Sequence, residues 1–135
     1  MKNFILYIWQ LPQNILGLLL IAFIRPERKH VLANGNIIYF ASRMVGGISL
    51  GKYSIVNVCH YRKDLRESLE RNTVRHEALG HARQSLFLGW LYLPIIGVSS
   101  IAWAAIYGRI VKPTKNGYHQ FWTEAWADRL ADITR

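Results

Sequence analysis

The residues best suited to chemistry in this 135-residue chain lie in one short segment, Thr73 to Gln84, which reads TVRHEALGHARQ. This segment holds His76, Glu77 and His81. Two neutral imidazoles can bind a zinc ion, and a neighbouring carboxylate can take a proton from water that the ion activates. The combination predicts hydrolysis, with Glu77 as the catalytic base and the two histidines as metal ligands.

A third ligand is needed, and the segment Phe121 to Asp128, FWTEAWAD, offers one. Glu124 and Asp128 are four residues apart and share one face of a helix. Glu124 could reach the ion while Asp128 orients a ligating imidazole from behind. Water would take the fourth position, where zinc lowers its pKa toward ~7. His119 is an alternative ligand, although a partly exposed loop histidine is the simpler interpretation.

The spacing of the two histidines is unusual, because five positions separate His76 from His81. On an ideal α-helix this spacing turns the side chains about 140° apart, whereas four positions give about 40°. A π-bulge, which accommodates one extra residue, would return both to one face, and Gly80 would ease that distortion. The alternative is a degenerate site that keeps the fold without binding metal.

These motifs resemble those of gluzincin metallopeptidases, especially the membrane-embedded group that includes HtpX and the prenyl-protein (CAAX) endopeptidase. That group pairs HExxH with a downstream ExxAD, and Glu124 to Asp128 matches ExxAD residue for residue. The chain is also similar to small uncharacterised bacterial proteins with HExGHxxQS, an LGxLYLxxIGxPS-like segment and FxTExWAD, over about its C-terminal half. The resemblance implies a zincin-like domain, a bound Zn²⁺ and peptide hydrolysis.

Two apolar stretches must be placed around this site. Phe4 to Ile24 is uncharged and about as long as the ~20 residues that cross a bilayer, although Pro12 and two amides weaken it. We interpret residues 1–24 as a hydrophobic N-terminal helix or membrane anchor, with a buried helix of the domain as the alternative. Residues 86–108 are broken by Pro94 and Gly97, which predicts a hydrophobic helical hairpin.

Residues between the apolar stretches have strand character. Ile37–Phe40, Ile48–Leu50 and Tyr53–Val58 are rich in β-branched and aromatic residues and are separated by glycine-containing turns. They predict a short antiparallel sheet. The predicted fold class is therefore α+β: a zincin-like domain over residues 25–135, containing this sheet, the metal-binding helix and the hairpin.

The charge is strongly positive, with 17 Lys and Arg against 8 Asp and Glu. Basic residues flank the apolar stretches, which is typical of a membrane edge; they are Arg25, Arg28, Lys29, Arg75, Arg83, Arg109, Lys112 and Lys115. No recognition-helix or zinc-finger pattern is present, so nucleic acid is not an expected partner. We expect a membrane or anionic lipid surface and a peptide or protein substrate as partners, with the site on the cytoplasmic side.

Two functions remain open from the sequence. The first is a membrane-associated zinc metallopeptidase that hydrolyses peptide bonds with metal-activated water. The second is a catalytically inactive membrane protein with a zincin-like fold and a structural or relic metal site, which acts by binding a partner. The five-residue histidine spacing favours the second function, and the joint occurrence of both motifs favours the first.

Overall fold

The computed structural model describes residues 2–110 and 117–135, so Lys112 and Lys115 of the predicted membrane edge lie outside the described residues. The fold is α+β, as predicted, with one four-stranded sheet among helices. The α-helices in the described part are α1 (Lys2–Trp9), α2 (Leu11–Ile24), α3 (Leu65–Leu69), α4 (Asn72–Arg75), α5 (Ala82–Leu88), α6 (Val98–Ile110) and α7 (Trp122–Leu130). A π-helical turn, His76–His81, joins α4 to α5, and a second one, Leu93–Gly97, leads into α6. Short 3₁₀ turns occur at Val58–His60, Gly89–Leu91 and Gly117–Gln120.

The sheet consists of β1 (Arg28–Val31), β2 (Ile37–Ala41), β3 (Gly47–Leu50) and β4 (Tyr53–Asn57), in the order β1-β2-β4-β3. The prediction of an antiparallel sheet is wrong at one place, because β2 and β4 run parallel. The reason is burial: the three central residues of β4 are all buried, so β4 takes an inner position and β3 lies at the edge. Strand β1 was not predicted.

The sheet is covered on both faces. Ile38, Phe40 and Val56 pack on one side against Val74 and Ala78 of the segment that carries the histidines. On the other side, Ala41 and Ile55 pack against the end of α2. Because alternate residues of a strand face opposite sides, β2 and β4 contribute to both layers. The sheet therefore fixes the segment that carries His76 and Glu77.

The N-terminal apolar stretch forms two helices instead of the single predicted one. The chain breaks at Gln10, and Pro12 occupies the first turn of α2, where its missing N–H costs nothing. The amides of Gln10 and Gln13 are buried and donate to the hydroxyl of Ser85, at 2.7 and 3.1 Å. These polar groups dock the N-terminal helices onto α5.

The second apolar stretch is bent, but earlier than predicted. Gly89, with a φ of +53°, ends α5. The chain then bends by 117° between the helical segments Asn72–Leu91 and Leu93–Tyr107. Pro94 lies in the first turn that follows the bend, where proline is tolerated. Among the described residues no single helix is long and apolar enough to cross a membrane; only this bent pair reaches the required length and composition.

Candidate metal centre

The π-helical turn brings the two histidines to one side of their helix. The N–H of Ala82 donates to the carbonyl of Glu77, five residues earlier, which is the hydrogen bond of a π-helix. The rings of His76 and His81 lie edge to face, with centroids 4.7 Å apart. The predicted π-bulge is therefore confirmed, and the extra residue does not separate the imidazoles.

Helix α7 reaches this turn because of a glycine. A Cβ atom on Gly80 would lie 2.5 Å from the carbonyl oxygen of Ala127, so only glycine permits the contact. Ala127 is fully buried, and it lies between Glu124 and Asp128 in sequence. This close helix crossing delivers both carboxylates to the histidines.

Three ligand atoms converge at the crossing. Nε2 of His76 is 3.0 Å from Oε2 of Glu124, and Nε2 of His81 is 3.5 Å from the same oxygen. Atoms bound at about 2.0–2.1 Å to one tetrahedral zinc ion lie about 3.3 Å apart, so each of these two imidazole–carboxylate distances is compatible with a shared ion. The three residues are buried. These buried His and Glu groups could hold a metal ion.

The outer nitrogen of each imidazole is also fixed. Nδ1 of His76 donates to Oδ1 of Asp128 at 2.7 Å, and Nδ1 of His81 donates to Oε1 of Gln84 at 2.7 Å. Such partners set the tautomer and the ring orientation of metal-binding histidines. Both rings are thereby oriented with Nε2 toward Glu124. Asp128 occupies the orienting position that the sequence predicted for it.

Hydrogen bonds between His76 and the neighbouring carboxylates shift the pKa values of His76 and Glu124 in opposite directions. Burial by itself would lower the pKa of His76, but hydrogen bonds with Asp128 and Glu124 outweigh it and raise the pKa to about 9. Burial would raise the pKa of Glu124, but hydrogen bonds with His76 and His81 hold it well below its usual range. The imidazole of His76 therefore carries a proton at neutral pH, which a bound metal ion would replace.

Glu77 lies beside the ligand atoms. A ligand atom from each of His76, Glu77 and His81 lies within 4.8 Å of the other two. The hydroxyl of Ser49 on β3 is 2.9 Å from Oε2 of Glu77 and 2.8 Å from its carbonyl oxygen. A Cβ atom on Gly47 would lie 2.7 Å from Oε1, so the edge strand leaves room for this carboxylate. Strand β3 therefore holds the Glu77 carboxylate close to the two imidazoles.

His119 and Tyr118 lie on the 3₁₀ turn that precedes α7, next to the same ligand atoms. A ligand atom from each of His76, His119 and Glu124 also lies within 4.8 Å of the other two. Burial, together with the nearby Arg135, lowers the pKa of His119 to about 4. Burial raises the pKa of the Tyr118 hydroxyl, so this hydroxyl keeps its proton.

Arg75 and Arg83 lie on either side of the π-helical turn, and both donate to backbone carbonyls. Arg75 donates to the carbonyls of Ala131 and Asp132, and Arg83 donates to the carbonyl of Leu130. Both secure the end of α7. Tyr118, by contrast, lines the cavity described next.

A cavity of about 830 Å³ opens onto the histidines and glutamates. Its walls are mainly aliphatic, with contributions from α2, β3 and the segment 93–104. Leu16 and Leu20 of α2 belong to this lining, so the N-terminal helices form part of the cavity. Such a cavity suits an apolar chain presented to a polar reaction centre.

Sequence reasoning missed three supporting residues. Gln84 is three positions after His81, a spacing that puts both on one helix face and could have revealed it. Its amide nitrogen also donates to the carbonyl of Thr123 at 2.8 Å, and the Thr123 hydroxyl is 3.2 Å from Oε1 of Glu124. Ser49 left no such signal, because the tertiary packing of β3 alone brings it to Glu77.

Comparison of the chain with protein-family models, with curated proteins and with solved structures found no match. The function therefore has to be argued from the geometry of the residues themselves.

Proposed function

We propose that this chain is a zincin-like zinc metallopeptidase that works at a membrane surface. The observation that carries the proposal is the convergence of Nε2 of His76 and Nε2 of His81 on one oxygen of Glu124, at 3.0 and 3.5 Å. Two imidazoles and one carboxylate are a ligand set of catalytic zinc sites in hydrolases. The anchored outer nitrogens add support, because metal-binding histidines usually have such a partner on the nitrogen that faces away from the ion.

The reaction follows from the side chains around this point. A zinc ion held there would supply a Lewis acid, which polarises a carbonyl group and makes water a nucleophile near neutral pH. Glu77 takes the proton of the attacking water and later returns it to the leaving amine. Tyr118 lines the cavity and its hydroxyl keeps its proton, so we assign to it the donor for the oxygen that becomes negative.

The resemblance to gluzincins supports the same function. The extra residue between His76 and His81 was the main departure from the HExxH pattern, and the π-helical turn accommodates it. Each defined residue of the ExxAD motif also has a physical role in this structure. Glu124 supplies the ligand oxygen, Ala127 permits contact with Gly80, and Asp128 holds His76.

The substrate we propose is an apolar peptide segment, because the cavity beside Glu77 has mainly aliphatic walls. The membrane surface is part of the proposal because many large apolar side chains of the N-terminal helices and of the 86–110 region are exposed. The two regions adjoin: Trp9 donates to the carbonyl of Leu86, and Trp90 donates to the carbonyl of Ile8. Arg25, Arg28 and Lys29 follow α2 and favour the cytoplasmic side.

Two measurements test the proposed function: the metal content of the purified protein, and the rate of hydrolysis by one variant. Purified protein loaded with zinc should hold about one ion, and Glu77→Gln should keep the ion but hydrolyse a fluorogenic library of apolar peptides about 10²–10⁴-fold more slowly, because the base is lost. Glu70→Gln, which changes an exposed carboxylate, is the matched control and should leave hydrolysis unchanged. Failure to bind any metal after zinc loading would remove the peptidase proposal. Stoichiometric zinc without hydrolysis by the wild type would favour the non-enzymatic alternative.

A further inference from the structure

The turn Gly117–Gln120 places a third imidazole at the metal centre. The ring of His119 lies edge to face with that of His76, with centroids 5.1 Å apart and planes at 84°. The two ligand histidines are arranged in nearly the same way, at 4.7 Å and 89°. His119 thus approaches the ligand atoms from α7's side, with a geometry like that of His81.

One nitrogen of His119 lies near Asp128, as one nitrogen of His76 does. Its Nδ1 is 3.7 Å from Oδ2 of Asp128, the residue whose other oxygen accepts from His76. Among the described residues this buried Nδ1 has no hydrogen-bond partner. His76 and His81 each turn Nδ1 toward an outer oxygen and Nε2 toward Glu124. One nitrogen of His119 also lies within 4.8 Å of ligand atoms of both His76 and Glu124, so the ring is close enough to share an ion with them.

The turn is held in this position by α6. The indole N–H of Trp103 donates to the carbonyl of Tyr118 at 2.9 Å. The ring of Trp103 also stacks on Phe121, with centroids 4.7 Å apart. These contacts lie on both sides of His119 in sequence, so its place beside Glu124 is built into the packing.

We infer that His119 is a fourth protein ligand of the metal ion, so that the resting site is closed to substrate. The inference rests on the metal centre of the proposed function and adds its regulation. Four protein ligands complete a tetrahedral zinc site, whereas catalysis needs one position for water or substrate. The His119 imidazole must therefore leave the ion before hydrolysis begins, so the wild type hydrolyses peptides more slowly than a protein that lacks this ligand.

The number of imidazoles on the ion tests this inference directly. X-ray absorption spectra of the zinc-loaded wild type should show three imidazole ligands, and His119→Gln should show two. His60→Gln, which removes a histidine remote from the centre, is the matched control and should retain three. Two imidazoles in the wild type, or three in His119→Gln, would overturn the inference while leaving the peptidase proposal intact. Absence of bound zinc would overturn both.

A gain of signal gives a second, independent readout. In the cobalt-loaded protein, His119→Cys should produce a thiolate-to-metal charge-transfer band, because sulfur would replace the imidazole at the ion. The wild type, whose Cys59 is exposed, should lack the band. No band in a folded, cobalt-loaded His119→Cys variant would count against ligation by residue 119. Hydrolysis should be faster in His119→Gln than in the wild type, since the fourth position becomes free.

Discussion

At the scale of single residues, the candidate metal centre depends on the side chains that orient its imidazoles as much as on the imidazoles themselves. His76 and His81 each have one ring nitrogen committed to an outer oxygen, from Asp128 and Gln84. Arg135 in turn donates to Asp128 at 2.8 Å. Although burial opposes it, these hydrogen bonds lower the pKa of Asp128, so its carboxylate stays charged beside His76. In the proposed metal centre, this charge would strengthen the imidazole as a ligand.

Asp128→Asn tests that support. The amide can still accept from Nδ1 of His76, but the negative charge is gone, so zinc affinity should fall about 10–100-fold. The affinity is measured by competition with a chromophoric chelator. Asp132→Asn changes an exposed carboxylate four residues later and should have no effect on affinity. Equal affinities for the wild type and Asp128→Asn would mean that Asp128 does not support the ligand.

At the scale of elements, the site is assembled by one helix crossing. The π-helical turn sets the faces of His76 and His81, and Gly80 allows α7 to approach until backbone meets backbone. The contact is made with Ala127, between the two carboxylates of α7. A change in the π-helical turn therefore moves Glu124 and Asp128 together.

Gly80→Ala should disrupt this crossing. The new methyl group would meet the Ala127 carbonyl at 2.5 Å, and such overpacking costs about 1–3 kcal/mol, more than the gain of up to ~1 kcal/mol in helix propensity. We expect a lower free energy of unfolding in urea and weaker zinc binding. Gly97→Ala is the control, because its methyl group would make only ordinary van der Waals contacts, the nearest with Leu93 at 3.5 Å, and should be neutral or stabilising. A Gly80→Ala protein as stable as the wild type, with zinc bound as tightly, would contradict the helix-crossing argument.

At the scale of the whole molecule, the polar and apolar parts of the surface are separated along the chain. Exposed aliphatic and aromatic side chains are concentrated on α1, α2 and the 86–110 region. Within α2, the polar Gln13 and Asn14 face the protein instead, while Leu19 and Phe23 are 62% and 81% exposed. A helix that buries its amides and exposes its apolar residues is better suited to lie against lipid than to stand in water.

Vesicle binding tests this arrangement. The double variant Leu19→Ser, Phe23→Ser should bind anionic vesicles at least about tenfold more weakly, since burying each large apolar side chain contributes about 1.5–3 kcal/mol. Binding is measured by co-sedimentation, and added salt should weaken it further because of the net charge of +9. Val31→Ser, an exposed apolar residue on β1, is the control and should bind normally. Unchanged binding of the double variant, with zinc content intact, would exclude α2 as the contact with lipid.

The sequence by itself determined the α+β class and named the residues that meet at the centre. His76, Glu77 and His81 are close in sequence, and Glu124 and Asp128 share a helical period, so local patterns reveal them. The sequence also posed the question of the five-residue spacing without answering it. An α-helix and a π-helical turn are both compatible with HEALGH, and the packing of Gly80 against Ala127 is a contact between distant segments.

Tertiary structure decided the rest, because those features depend on what distant segments bury. Strand β4 pairs in parallel with β2 because it is covered on both faces, which no pattern within Tyr53–Asn57 discloses. The bend lies between Leu91 and Leu93, just before Pro94, and it follows Gly89, where a Cβ atom would collide with the ring of Trp9. His119 looked like a loop residue until the aromatic contacts of Trp103 placed its turn beside Glu124. Periodicity records which face of an element is apolar, whereas only the folded chain determines which partner meets that face.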